Sequence, residues 1–407
     1  MFKDRNPEVL VVGAGPVGML AGLALNKRGA GVEIVDTGVW PCQHSYALAL
    51  HAASLDLLEK YGLAPAVRAG AYAVKGLALC DKGGEKLAIT VRDIMVTRQD
   101  ALESLLEGAL KSAGVSVHWR HEVFSLEPGE TAVRATVNRL GKESRGYAVA
   151  HTEWVVEEQR KLEVPFVVGA DGYNSQVRRT LGIKFPETAP ADYYAVFEFE
   201  TDANLQNSIR LVFGHDTTDV LWPLPGGSAR WSFQLPGYAD PQVEEMKKRL
   251  ADAGLGYIPT ERTKDRTEGS PGDLLPELDE SHLAKLLDER APWFAGKVGK
   301  VAWKTLVRFE KRQAESYGSG RMWLAGDAAH LAGPAAIQSM NLGLQEADDL
   351  AASLAAVLKE GASTAVLEEY NTRWTAKWKK LSQLKITPGA HAFVQRHAAQ
   401  IAACLPA

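Results

Sequence analysis

Three short runs in this sequence could act on a ligand rich in phosphate and hydroxyl groups. The first is Gly13-Ala14-Gly15-Pro16-Val17-Gly18. Glycine at its first position permits a tight turn. At the second it lets a pyrophosphate approach the backbone, and at the third it lets helix and strand pack closely. N–H groups at the helix start, with the helix dipole, would hold the anion. Asp36 stands about 20 residues further on, at the end of the next apolar run, where a carboxylate accepts hydrogen bonds from an adenosine ribose. This run alone does not separate NAD from FAD. The second is Gly169-Ala170-Asp171-Gly172-Tyr173-Asn174-Ser175-Gln176-Val177-Arg178, which puts the Asp171 carboxylate at a strand's carboxyl end beside helix N–H groups. The third is Trp323-Leu324-Ala325-Gly326-Asp327-Ala328-Ala329-His330, followed by Pro334 and by Gln338-Ser339-Met340-Asn341-Leu342-Gly343. Asp327 would face a polyol or ribose hydroxyl, and the next helix start an electron-rich ring edge. His330 reads as a structural histidine, since no Ser or Cys nucleophile is arranged with it.

These groups work together only if strands and helices bring them to one edge. Residues 8–12 read as a buried strand, 16–28 as a helix ended by Gly29, and 32–36 as a second strand. That is a βαβ unit, which implies a parallel sheet. Helices are expected over 51–60 and 100–112, a strand over 114–119, an antiparallel meander over 127–161, and a buried strand over 164–168. The character then changes. Residues 192–200, 209–213, 220–224 and 229–235 read as strands rich in Tyr, Phe and Trp, with a turn at Pro225-Gly226-Gly227, and suggest a second, antiparallel sheet. A surface loop is expected over 259–276, a strand over 322–325, and helices over 339–359, 364–384 and 389–403.

Composition excludes several classes. The 407 residues include 46 Lys+Arg and 50 Asp+Glu, a net charge of −4, so no polybasic nucleic-acid partner is expected. With 46% hydrophobic and 24% charged residues the chain is globular, not disordered. Cys42, Cys80 and Cys404 are odd in number and far apart, which fits neither a disulfide framework nor a CxxC metal site. No metal and a reducing, cytoplasmic location are expected. Residues 9–26 carry no charge, but four glycines and Pro16 interrupt them. A strand–turn–helix explains that run better than a membrane span or signal peptide.

The three runs, in this order and spacing, resemble the FAD-dependent aromatic hydroxylase family, the group A flavoprotein monooxygenases with the para-hydroxybenzoate hydroxylase fold. The resemblance covers essentially the whole chain and extends to Arg98-Gln99 before Leu102-Glu103, to residues 49–55, and to residues 221–227. It implies an α/β chain in which a Rossmann-like FAD-binding domain (1–70, 97–180, 295–355) interleaves with an antiparallel-sheet substrate domain (71–96, 181–294), with C-terminal helices over 356–407. Gly13, Gly15, Pro16, Val17 and Gly18 would cradle the FAD pyrophosphate, and Asp36 the ribose. Arg98 and Gln99 would reach the pyrophosphate or ribityl chain. Asp171 would serve FAD and the nicotinamide cofactor, braced by Arg178. Asp327 would bind the ribityl chain, and residues 334–341, with Pro334, Met340 and Asn341, would line the isoalloxazine. Two departures stand out. Ile337 and Ser339 occupy positions usually glycine in the family, narrowing the space for a moving ring. Tyr46 stands near a frequent arginine, keeping a donor but not the charge.

The implied reaction is NADPH- or NADH-dependent hydroxylation of an aromatic or polyketide-like small molecule. Dioxygen adds at flavin C4a, and the hydroperoxide attacks an electron-rich ring. Alternatives are a same-fold reductase or oxidase without oxygen insertion, and a catalytically inactive FAD-binding protein. Phe197, Phe213, His215, Trp222 and Phe233 are candidate substrate-lining residues. No membrane partner is expected, and the chain would be a monomer or homodimer.

Overall fold

A computed structural model describes residues 7–39, 49–145, 151–238, 278–332 and 339–382. Cys42, Tyr46, Pro334, Ile337, Gln338, Cys404, the expected loop at 259–276 and the expected helix at 389–403 lie outside the described residues.

A six-stranded sheet runs in the order Gly318–Ser319, Met322–Leu324, Phe166–Gly169, Val9–Val12, Val32–Asp36, Val117–Trp119. All neighbours are parallel except the first pair. The central strand Val9–Val12 is buried along its whole length, as an uncharged Val/Leu run must be when both faces are covered. Helix Pro16–Lys27 covers one face, and the long helix Ser339–Glu360 packs on that helix. Because Met322–Leu324, Phe166–Gly169 and Val9–Val12 are adjacent and parallel, their carboxyl ends share one edge. Each of the three sequence runs leaves its strand at that edge. This is the crevice in which open parallel sheets bind ligands.

A nine-stranded sheet follows the order His330–Leu331, Val301–Gln313, Glu187–Glu200, Ser228–Gln234, Thr218–Leu224, Ser208–Phe213, Tyr72–Asp81, Gly84–Val96, Ala49–Leu50. The four aromatic strands are where the sequence placed them. The hairpin Tyr72–Asp81/Gly84–Val96 was not foreseen as strands, and Ser208–Phe213 joins it in parallel. Strand Val301–Gln313 corrects one assignment. It falls within 295–355, expected in the FAD-binding domain, yet it pairs with Glu187–Glu200 in this second sheet. A third, three-stranded meander comprises His121–Pro128, Val133–Arg145 and His151–Val164. The strand expected over 164–168 is divided: Val164 ends the meander, and Phe166 opens the parallel strand. Pro165 between them has no N–H to offer a ladder.

The nine-stranded sheet has an apolar core on each face. On the outer face, Phe197, Phe199, Trp231 and Phe233 pack under Leu283 and Leu286 of helix Glu280–Arg290. The inner face carries Leu77, Ile94, Val220, Trp222 and Ala49. No described helix is long and apolar enough to cross a membrane.

Candidate functional site

The Gly13–Gly18 turn is fixed by contacts that leave no room for side chains at two positions. Gly13 has φ +101°, and a Cβ there would lie 2.2 Å from the Ala170 carbonyl oxygen. A Cβ on Gly18 would lie 1.9 Å from the Gly13 carbonyl oxygen. Gly15 differs: a Cβ would meet nothing within 4 Å. It is the N-cap of helix Pro16–Lys27, with Pro16 in the first turn and no side chain capping the N–H groups. Packing therefore requires Gly13 and Gly18, while Gly15 opens onto the crevice. Asp36 fastens the turn, its Oδ2 accepting from the Ala14 N–H and its Oδ1 from the Gly38 N–H, both at 2.6 Å. Val17 packs against Gly326 and Gly343, joining the first run to the third.

Asp171 accepts the Gln176 N–H at 2.6 Å and the Val177 N–H at 3.2 Å on Oδ2. Its Oδ1 is buried without a partner. Burial raises its pKa above the usual carboxylate range. An orphaned carboxylate oxygen on the crevice edge is what a ligand hydroxyl would satisfy. Arg178 donates to the Ala328 carbonyl at 2.7 Å and to the Tyr173 carbonyl, and lies over the Phe185 ring at 3.9 Å. It ties the second run to the third, and burial lowers its pKa to about 10.

Asp327 lies in a single turn, Gly326–Ala328, with its side chain exposed on the same edge. The Ser339 hydroxyl donates to its Oδ1 at 3.1 Å. Met340 is half-buried against the main core. The Asn341 side chain accepts the His51 N–H at 2.9 Å and donates to the Ala49 carbonyl at 2.8 Å. It thus clamps residues 49–51 to the first turn of the long helix. The His51 imidazole is buried, and desolvation lowers its pKa to about 4, so it is neutral.

Arg98, the N-cap of helix Gln99–Ser112, ties the start of that helix to the nine-stranded sheet. It pairs with Glu198, a buried residue of the nine-stranded sheet, and with Asp100 at 3.3 Å. Glu198 is also held by Arg230 at 2.6 and 3.1 Å, and Arg230 lies over the Trp303 ring at 4.9 Å. Gln99 donates to Glu103 at 2.8 Å, and burial pushes the Glu103 carboxyl up to about 7. Sequence reasoning missed Glu198 and Arg230. The available signal was a charged residue inside the aromatic run Tyr-Ala-Val-Phe-Glu-Phe.

The five aromatic and imidazole candidates are not brought together. Strand pairing sets Phe197 opposite Trp231, and Phe233 stacks on Trp231 at 4.8 Å. Both phenylalanines therefore face the outer core, away from the crevice. Trp222 pairs with Arg230 and faces inward, with the half-buried Phe213 beside the same core. His215 is 96% exposed at a loop end and bound to Asp216 at 2.7 Å, so it does not reach the sheet interior. The inner face instead offers Val196, Ser232 and Thr305, which pair across three neighbouring strands.

A model of a family described as an FAD binding domain matches residues 6–384. The chain belongs to this FAD-binding family. It is 29% identical over 374 residues to the 6-methylpretetramide 4-monooxygenase of Streptomyces rimosus, covering 89% of this chain and 58% of that protein. It is 25% identical over 411 residues to the pentachlorophenol 4-monooxygenase of Sphingobium chlorophenolicum, covering 97% of this chain and 66% of that protein. The chain thus spans about three-fifths to two-thirds of the length of these relatives. The crystal structure of p-nitrophenol 4-monooxygenase PnpA from Pseudomonas putida DLL-E4 superimposes with a TM-score of 0.69 at 22% identity, covering 98% of this chain and 94% of that one. That match shows the fold. The residues fit the family's cofactor: the Gly15 opening, the orphaned Asp171 oxygen and the exposed Asp327 carboxylate line one sheet edge in the order an extended dinucleotide needs.

Proposed function

We propose that this chain is an FAD- and NAD(P)H-dependent monooxygenase that hydroxylates an aromatic or polyketide-like small molecule, working in the cytoplasm as a monomer or homodimer. The observation carrying this proposal is the single edge shared by Gly15, Asp171 and Asp327, facing the inner side of a sheet that carries Trp222. The names of the similar proteins, monooxygenases of a pretetramide and of pentachlorophenol, support the reaction class.

Gly15 and the first turn of helix Pro16–Lys27 would hold the pyrophosphate, Asp36 the ribose, and Asp327 the ribityl hydroxyls. Bound FAD supplies the two-electron carrier that links NAD(P)H to dioxygen. The protein's share is orientation and exclusion of water. Asn341 locks residues 49–51 against the long helix, and Arg98 ties the start of helix Gln99–Ser112 to Glu198 of the substrate sheet. The substrate would lie on the inner face, between that edge and Trp222.

The test is incubation of the FAD-reconstituted chain with NADPH or NADH, oxygen-18 gas and a panel of phenols and fused polyphenols. Substrate-stimulated NAD(P)H oxidation, with a product heavier by one labelled oxygen, is expected. Turnover without label would replace this proposal with oxidoreduction lacking oxygen insertion. Bound FAD with no NAD(P)H oxidation would leave a binding protein.

A further inference from the structure

Behind the third run lies a group of side chains that the proposed reaction does not use. Glu346, on helix Ser339–Glu360, and His330 have no solvent exposure. The Glu346 carboxylate has three nitrogen partners. The Gly326 backbone and His330 Nε2 reach its Oε2 at 2.9 and 2.8 Å, and the Trp378 indole reaches its Oε1 at 2.6 Å. Two N–H donors, joined by a third when His330 carries its proton on Nε2, are the complement of an ionised carboxylate, which can only accept. Trp378 also lies flat on the His330 ring, with centroids 3.6 Å apart and planes 22° from parallel. His330 Nδ1 is buried with no partner. A protonated imidazole would leave an N–H there with nothing to receive it, so the neutral ring with its proton on Nε2 fits the surroundings. The cluster then carries one net negative charge. That charge sits one hydrogen bond from Gly326, the residue before Asp327. Trp378 comes from helix Ala365–Ser382, so that helix is fastened directly to the cofactor motif.

We propose that Glu346 is an electrostatic positioning residue for the bound flavin. Its carboxylate fixes the Gly326-Asp327 turn and keeps a permanent negative charge behind it, in a dry interior where charges are weakly screened. Reduction adds negative charge to the flavin ring. A fixed anion nearby opposes that gain and holds the reduction potential down. The inference rests on Asp327 as an FAD ligand. It goes beyond that assignment by giving a redox role to a residue that touches no cofactor atom.

The experiment measures the two-electron midpoint potential of the FAD-loaded chain by dye equilibration. Thermal stability and the FAD dissociation constant are measured alongside. Glu346→Gln keeps the shape and removes the charge. The expected result is a reduction equilibrium about tenfold more favourable, a positive shift of about 30 mV for a two-electron couple. Trp378→Phe keeps the stacked ring and the carboxylate, so it should lower thermal stability and leave the potential in place. A Glu346→Gln shift no larger than that of Trp378→Phe overturns the proposal. If Glu346→Gln does not fold, the pair Glu346→Gln/His330→Gln carries the same test, because its two amides can hydrogen-bond each other. A chain that takes up no FAD refutes the Asp327 assignment and this proposal together. FAD uptake with an unmoved potential refutes this proposal alone.

Discussion

Two single-methyl substitutions three residues apart, within one helical turn, should separate stability from cofactor binding. Gly18→Ala would put a methyl 1.9 Å from the Gly13 carbonyl oxygen, 3.0 Å from its carbon and 3.2 Å from the Ala170 Cβ. The nearest of these is backbone, so the turn must retreat rather than a side chain swing away. Overpacking of this kind costs about 1–3 kcal/mol, and a backbone clash belongs at the upper end. Gly15→Ala meets nothing within 4 Å, and its φ of −72° and ψ of 178° suit any L-residue. The gain of about 0.4–1 kcal/mol from lost unfolded-chain entropy is offset by a similar cost of Ala against Gly at an N-cap, so its stability should stay close to wild type. The two apoproteins should therefore differ by roughly 3 kcal/mol in denaturant unfolding. An FAD titration followed by flavin fluorescence separates the two differently. Gly15→Ala, the stable variant, should bind at least tenfold more weakly, a loss of about 1.4 kcal/mol, if the pyrophosphate approaches the backbone at Gly15 as proposed. Wild-type FAD affinity in Gly15→Ala would falsify the placement of the phosphate. Wild-type stability in Gly18→Ala would refute the packing argument.

Further expectations follow from the other carboxylates. Asp327→Ala should lose FAD far more readily on gel filtration than Asp56→Ala, which alters an exposed helix position; equal retention would count against the third run. Burial raises the Glu103 pKa from 4.5 to about 7, so the folded state holds its proton more tightly than the unfolded chain. Stability from this group is fully present below pH 4.5 and is lost as pH rises to about 7. Glu103→Gln should thus be roughly 1–3 kcal/mol more stable than wild type at pH 8 and no more stable at pH 4.5. Denaturant curves at both pH values check this, and equal gains at both would refute it. Glu198→Ala leaves Arg230 buried and unpaired, so it should cost about 3–5 kcal/mol. Glu127→Ala, which breaks an exposed pair with Arg134, should cost no more than about 0.5 kcal/mol; similar losses would show that Glu198 carries little.

The cofactor edge was legible in the sequence because local signals specify it. Glycine spacing, an uncharged strand and a carboxylate at the next strand's end each act within one βαβ unit. The second sheet was legible only in its aromatic strands. Val301–Gln313 alternates Trp303, Thr305, Val307 and Phe309 on one face with Lys304, Leu306, Arg308 and Glu310 on the other, a strand pattern diluted by its charged residues. Which aromatic faces the crevice was not legible. Phe197 and Trp222 look alike in sequence. Their opposite orientations follow from register, Phe197 against Trp231 and Trp222 against Arg230, and register depends on partners far along the chain. The Arg98–Glu198–Arg230 chain was hidden for the same reason, since Glu198 faces Arg230 only through strand register and Arg98 reaches Glu198 from the distant start of helix Gln99–Ser112.

The interleaving of the two sheets has a consequence for how the chain acquires its shape. Val9–Val12 finds one neighbour early, in Val32–Asp36, but its other neighbour, Phe166–Gly169, must first be made, and that strand's outer neighbour Met322–Leu324 comes later still. Long-range parallel pairing of this kind is slow and leaves apolar strand edges uncovered meanwhile. During synthesis the parallel sheet cannot be completed until residue 324 has been made. Mutations that delay the last strand should reduce the yield of soluble protein before they affect the finished fold.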